Sequence, residues 1–257
     1  MTKDLFDLSG KVALVTGGSS GLGVQFAKAL ASKGADIALI ARRVEKLEAT
    51  KKQVIDEYGV DVLALPCDVL DVAQIKKTVG AIKEHFGHID ILVNNAGTAR
   101  NAPADEQSDE DWKAVIDTNL NAVYYVAREV GKLMKEQQYG KIINLGSIHS
   151  AVAMRSLGIS GYCASKGGVL MLTKELANEW AKDGITVNAI GPAYFASEMT
   201  SSVINDEGFL KLVELSCPMG RPGRAGELDG ALIYFASDAS SYTTGQILWI
   251  DGGWTAI

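Results

Sequence analysis

Tyr162 and Lys166 stand four residues apart in Ser160-Gly161-Tyr162-Cys163-Ala164-Ser165-Lys166, a phenol and an ammonium at helical spacing. On a helix the two side chains share one face, one turn apart. A fixed positive charge beside a phenol favours the phenolate, which predicts a pKa below the ordinary value of about 10. Such a group can give or take the proton of an alcohol. Near the chain's start lies a glycine-rich turn, Gly17-Gly18-Ser19-Ser20-Gly21-Leu22-Gly23. Glycines there permit positive φ and close approach to a pyrophosphate, and a helix beginning at the turn favours its negative charge. The glycine triplet alone fits a simple tight turn equally well. Directly after the apolar run Val12–Thr16 and before a helical pattern, it reads as a dinucleotide site. Phenol and glycine turn together predict alcohol–carbonyl redox.

These groups need a scaffold, and the hydrophobic pattern supplies one. Short β-branched runs at Val12–Thr16, Ile37–Ile40, Val62–Leu65, Ile91–Val93, Ile142–Leu145, Thr186–Ile190 and Ile247–Ile250 are mostly apolar on successive residues, as in strands buried on both faces. Between them, Gly23–Lys33, Glu45–Tyr58, Ala73–Phe86 and Ser108–Lys135 carry apolar residues at helical spacing. Ser108-Asp109-Glu110-Asp111 resembles a capping box, and Lys132 and Lys135 fall near that helix's other end. The alternation predicts an α/β protein: a doubly wound parallel sheet of about seven strands with helices on both faces, in a single domain over residues 1–257. Ala193–Gly226 breaks the beat, with one helix expected near Phe209–Leu215. After a strand at the edge where such folds bind ligands, it reads as a substrate lid, with a surface excursion or interface segment as the alternative.

The 257 residues are ample for a large core, and 47% hydrophobic and 22% charged residues are those of an ordinary globule. A net charge of −6 argues against a dominant nucleic-acid or anionic-membrane surface. Met1–Leu8 holds no long apolar stretch and no later run reaches a membrane span, so neither signal peptide nor membrane insertion is expected. Cys67, Cys163 and Cys217 are far apart and without metal-like spacing, which fits a reduced, cytoplasmic setting and no metal. Cys163, beside Tyr162, reads as a small packing residue rather than a nucleophile.

The second strand bears on which cofactor binds. An NAD site commonly places an acid about 20 residues beyond the glycines to hold the ribose 2′-hydroxyl. Here the strand ends Leu39-Ile40-Ala41-Arg42-Arg43. A guanidinium pairs well with a 2′-phosphate, so Arg42 and Arg43 predict NADP(H) over NAD(H), unless they are merely solvated residues opening the next helix.

Taken together, these segments resemble the short-chain dehydrogenase/reductase family along nearly the whole chain. Its glycine motif appears as Thr16–Gly23, Asp68-Val69 matches the pair contacting adenine, and Asn94-Asn95-Ala96-Gly97 matches a segment lining the cofactor. Asn119, Ser147, Tyr162 and Lys166 match the catalytic tetrad, and Asp251-Gly252-Gly253 the C-terminal signature. The resemblance implies a Rossmann-type fold and a homotetramer. It implies that Ser147 hydrogen-bonds the substrate oxygen and that Tyr162 transfers the proton. Lys166 would bind the nicotinamide ribose and hold the phenol pKa down, while Asn119 would hold a water leading to solvent. Without Tyr162 and Lys166, Ser147 would read as a loop or capping serine and Asn119 as relief for a helix bend.

Two departures bear on specificity. The family usually has Pro-Gly after the sixth strand and then a threonine contacting the nicotinamide amide; this chain has Pro192-Ala193, with Ser197 near the threonine's place. The Ser147–Tyr162 interval is about two residues longer than the commonest pattern, and its loop, His149 to Gly158, would border the substrate. Within the family the run is most similar to the gluconate 5-dehydrogenases and related sugar or sugar-acid reductases. His149 and Arg155 could bind substrate hydroxyls or a carboxylate, or equally pack the loop. A 3-oxoacyl-acyl-carrier-protein reductase shares every motif and would need a basic docking patch. A hydroxysteroid dehydrogenase would need an apolar pocket of Met154, Leu157, Met199 and Phe195. A non-catalytic nucleotide sensor would have no use for a tuned phenol. The apolar tail, Trp249–Ile257, could bury against a neighbouring subunit or within its own.

Overall fold

Residues 4–154, 157–198, 200–201 and 203–256 are described by the computed structural model. Seven strands form one parallel sheet: β1 (Val12–Thr16), β2 (Asp36–Ala41), β3 (Val62–Pro66), β4 (Ile91–Asn94), β5 (Gly140–Leu145), β6 (Ile185–Pro192) and β7 (Ile247–Ile250). Their spatial order is β3-β2-β1-β4-β5-β6-β7, so the winding reverses between β1 and β4. Every residue of β1 and of β4 is buried. That explains why the pattern in these runs is continuous rather than alternating. β7, at the edge, is buried at no position, which edge location allows.

Helices α1 (Gly21–Ala31), α2 (Val44–Tyr58) and α8 (Asp229–Ala236) cover one face, meeting Ala13 and Val15 of β1. Helices α3 (Val72–Phe86), α5 (Ala122–Gln137) and α6 (Ser160–Trp180) cover the other, meeting Val12 and Leu14. Phe26 of α1 and Phe235 of α8 are essentially inaccessible. Burying a side chain of that size contributes about 1.5–3 kcal/mol.

Most predicted elements fall within a few residues of the observed ones. The long pattern Ser108–Lys135 is the exception. It comprises α4 (Asp109–Ile116), a π-helical turn at Asp117–Asn121, and then α5. The turn carries Ala122 N–H to the carbonyl of Asp117, one residue further back than an α-helix reaches. Ser108 does cap α4, its hydroxyl accepting from Asp111 N–H at 3.1 Å. Within the segment 193–226 the helix α7 spans Glu207–Ser216. In the tail, Trp254 packs inside its own subunit, its ring 5.4 Å from that of Tyr194. No helix among the described residues is long and apolar enough to cross a membrane.

Candidate active site

The ends of β1, β4, β5 and β6 converge on one edge of the sheet. After β1 the chain turns through Gly17 (φ +68°) and Gly21 (φ +54°), conformations that side chains resist. The turn is packed from within. A Cβ on Gly23 would lie 2.2 Å from the Gly17 carbonyl oxygen, and one on Gly17 would lie 2.9 Å from Asn95 Nδ2. Asn95 fastens the turn, donating from Nδ2 to the Thr16 carbonyl at 2.9 Å, while Thr16 Oγ1 accepts from the amides of Asn95 and Ala96. Ser19 is buried and Leu22 packs on the core beneath. Asp68 accepts from Leu70 N–H, and Val69 shares a small recess with Thr16, Asn94 and Ala96.

One detail fits this edge to a dinucleotide. Ser20 occupies the N-cap position of α1 yet makes no side-chain cap; its hydroxyl instead accepts from Arg43 Nη2 at 2.8 Å. The first amides of α1 are thereby left for a phosphate. Arg43 and the neighbouring Arg42 are exposed at the end of β2, and Arg43 makes a two-pronged pair with Glu198 at 2.7 and 2.6 Å. Lys46 Nζ reaches the same carboxylate at 3.0 Å. The two cations, with the Ser20 hydroxyl, hold the Glu198 carboxyl far below the usual range.

The polar groups that follow β4 and β5 are mostly buried. Lys166 is 4% exposed, Ser147 6% and Asn119 0%. Ser147 caps a short turn after β5, its Oγ accepting from His149 N–H at 3.2 Å. Its hydroxyl also bonds the Tyr162 phenol, an interaction that favours the phenolate. Lys166 and Tyr162 share one face of α6, the ammonium 5.7 Å from the ring centroid. Asn119 sits in the π-helical turn. Its Oδ1 accepts from Thr98 N–H at 2.8 Å, and its Nδ2 donates to the Thr98 carbonyl and to Ser165 Oγ at 2.9 and 3.2 Å. Ser165 Oγ in turn donates to the Tyr162 carbonyl. A second ladder, Asn94 to Asn144 to Thr173, ties β4, β5 and α6 at 2.9 Å per step.

The expected depression of the Tyr162 pKa is not what the protein alone produces. Burial pushes the phenol up, overcoming the Ser147 bond. Lys166 spends its ammonium on the Leu145 carbonyl at 2.6 Å, and burial lowers its own pKa to about 8. The sequence shows the charge four residues away; it does not show that both partners lose their water. Burial likewise raises the Cys163 thiol, which agrees with a packing role.

On the substrate side, His149 is buried, its ring 6.1 Å from that of Tyr162. Its Nδ1 faces the Val152 carbonyl at 3.0 Å and its Nε2 the Tyr194 hydroxyl at 3.2 Å. Burial lowers its pKa, so the neutral ring is favoured. Tyr194 joins this cluster without having been singled out from the sequence, where an aromatic two residues past Pro192 at a strand's C-terminal end was the available signal. Its hydroxyl also reaches Met154 Sδ at 3.1 Å. A cavity of about 500 Å3 opens beside Tyr194, lined by Val213, Trp249, Gly253 and Trp254 but by none of Ser147, Tyr162 or Lys166.

A sequence profile described as enoyl-(acyl carrier protein) reductase matches residues 17–255. Gluconate 5-dehydrogenase of Gluconobacter oxydans (strain 621H) is 42% identical over 252 residues, 98% of this chain and 97% of that one. The 5-keto-D-gluconate 5-reductase of Escherichia coli (strain K12) is 38% identical, each chain 97% covered. This chain belongs to the short-chain dehydrogenase/reductase family. The crystal structure of a gluconate 5-dehydrogenase from Burkholderia cenocepacia J2315 in complex with NADP and tartrate superposes with a TM-score of 0.95 at 39% identity, covering 99% of this chain and 98% of that one. The family's members among these relatives are oxidoreductases acting on CH–OH groups, and this chain is one.

In this dehydrogenase/reductase the chain after β6 packs against the glycine turn. Pro192 ends β6 as supposed, and Ser197 exchanges hydrogen bonds with Thr200, its Oγ 3.1 Å from Thr200 Oγ1, beside Gly21. Phe195 is 5% exposed in the core shared by α1 and α8, against Gly223, and also lines the cavity beside Tyr194. Gly97 packs against Asn119, where a Cβ would lie 3.3 Å from Oδ1. Arg155 and Met199 lie outside the described residues. Glu198 had no signal at all, being 155 residues from its partner Arg43.

Proposed function

We propose that this enzyme interconverts a sugar acid's secondary alcohol and ketone with NADP(H), 5-ketogluconate and gluconate being the pair that the named relatives suggest. The observation that carries the reading is the meeting of buried Ser147 and Lys166 with the half-buried phenol of Tyr162, at the same sheet edge as the uncapped start of α1. The dinucleotide would be held by the turn Gly17–Gly23 and α1, by Asp68 and Val69 at the adenine, by Asn95, Ala96, Gly97, Pro192 and Ser197 toward the nicotinamide, and by Arg42 and Arg43 at the 2′-phosphate. When bound it supplies or accepts the hydride. In reduction, Ser147 donates to the ketone oxygen and Tyr162 delivers its proton there. Lys166 would turn from Leu145 O toward the ribose and steady the phenolate left behind, and the proton would be replaced from solvent along a water that Asn119 holds. His149, Arg155 and Tyr194 select hydroxyls and the carboxylate. Segment 193–226 closes over the substrate, in a cytoplasmic homotetramer.

The test is kcat/KM for 5-ketogluconate, an acetoacetyl thioester and a ketosteroid, each with NADPH and NADH. Preference for 5-ketogluconate with NADPH is expected. Preference for the thioester would move the enzyme to the acyl-carrier class, and preference for NADH would remove Arg42 and Arg43 from the cofactor's recognition.

A further inference from the structure

We infer that Glu198 governs entry of the cofactor's 2′-phosphate by occupying, in its absence, the basic cluster that would receive it. This rests on the NADP(H) reading above and names a residue outside that reading's machinery. A carboxylate and a phosphate present similar pairs of oxygens to a guanidinium fork. Glu198 uses both prongs of Arg43, at 2.7 and 2.6 Å, and draws Lys46 Nζ to 3.0 Å. Arg43 Nη2 is shared with Ser20 Oγ at 2.8 Å, so the fork, the ammonium and the glycine-turn hydroxyl form one site already filled by an anion from elsewhere in the chain.

The anion's backbone is docked as well. A Cβ on Gly21 would lie 3.4 Å from Ser197 Cβ and 3.5 Å from Glu198 N, which puts this stretch directly against the pyrophosphate turn. The stretch thus bridges the glycine turn and the start of α2 across the mouth of the dinucleotide site. A 2′-phosphate must take over the Arg43 fork, and Glu198 must then leave it, because two anions on one fork repel. A nucleotide with a free 2′-hydroxyl makes no such demand. Glu198 therefore narrows the enzyme's preference for the phosphorylated cofactor.

The groups involved are about half exposed, so a neutral replacement leaves the core untouched and the effect is modest. Titration calorimetry on the full chain with 2′,5′-ADP and with ADP reads it without turnover. Glu198→Gln should bind 2′,5′-ADP about fivefold more tightly than the parent, with ADP changed less than twofold, and adding Arg43→Gln should abolish the gain. Equal gains for both nucleotides, or none, would overturn the inference. If neither the parent nor Glu198→Gln binds 2′,5′-ADP while both bind ADP, the NADP(H) reading fails and the masking role falls with it.

Discussion

At the ends of β1 and β2 the working groups are backbone amides and solvated charges, with the side chains of Arg43, Lys46 and Glu198 46%, 52% and 50% exposed. After β4 and β5 they are side chains sealed from water, among them Lys166, Asn119 and Ser147. The first region binds by shape and by exchangeable ion pairs, each of small individual value. The second prepares a proton transfer, which needs groups whose affinities differ from those in water, and burial is what shifts them. Such groups are tolerated only because nearly every polar atom has a partner, as the Asn94–Asn144–Thr173 and Thr98–Asn119–Ser165 chains show.

Three substitutions probe this contrast. The largest effect belongs to Tyr162→Phe, which keeps the ring and removes the proton. Turnover should fall on the order of a thousandfold while NADPH binding by fluorescence titration is retained. Unchanged turnover would place the chemistry elsewhere.

Next comes Lys166, where function and stability pull apart. Its folded-state pKa of about 8 lies below the ordinary 10.5, so the unfolded chain holds the proton more tightly. The destabilisation is full below pH 8, shrinks as pH rises toward 10.5, and vanishes above. Lys166→Met should therefore be more stable than the parent by roughly 3 kcal/mol at pH 7, with the difference narrowing by pH 10.5. Urea unfolding at both pH values measures it; a constant difference would mean that the ammonium is not desolvated.

The smallest effect is expected in the solvated half. Arg43→Gln should cut kcat/KM for NADPH about tenfold, leave NADH nearly unchanged, and barely move the melting temperature. A large stability loss would erase the distinction between the halves.

The sequence revealed the two halves unequally. Strands buried on both faces advertise themselves as unbroken apolar runs, and the glycine turn, Tyr162 and Lys166 are local patterns, so the sheet and its main residues were legible. Side-chain environment was not. The direction of the Tyr162 shift depends on what α6 packs against, and the Arg43–Glu198 pair joins residues that no spacing relates. The packing of Phe195 was hidden for a similar reason, because an aromatic after β6 reads the same whichever way its ring turns. The π-helical turn escaped because one additional residue within a long amphipathic stretch scarcely disturbs the periodicity of either flank.

That turn limits how the gene can drift. Deleting one residue from Asp117–Asn121 would let the coil close to ordinary pitch, and because the wide turn is what takes up the additional residue, both flanks would keep their phase. The stripe Val126, Val130, Leu133 and Met134 would stay on the sheet, while the place that Asn119 takes against Thr98 would be lost. The catalytic edge could therefore be erased by a change that leaves the helix carrying it folded.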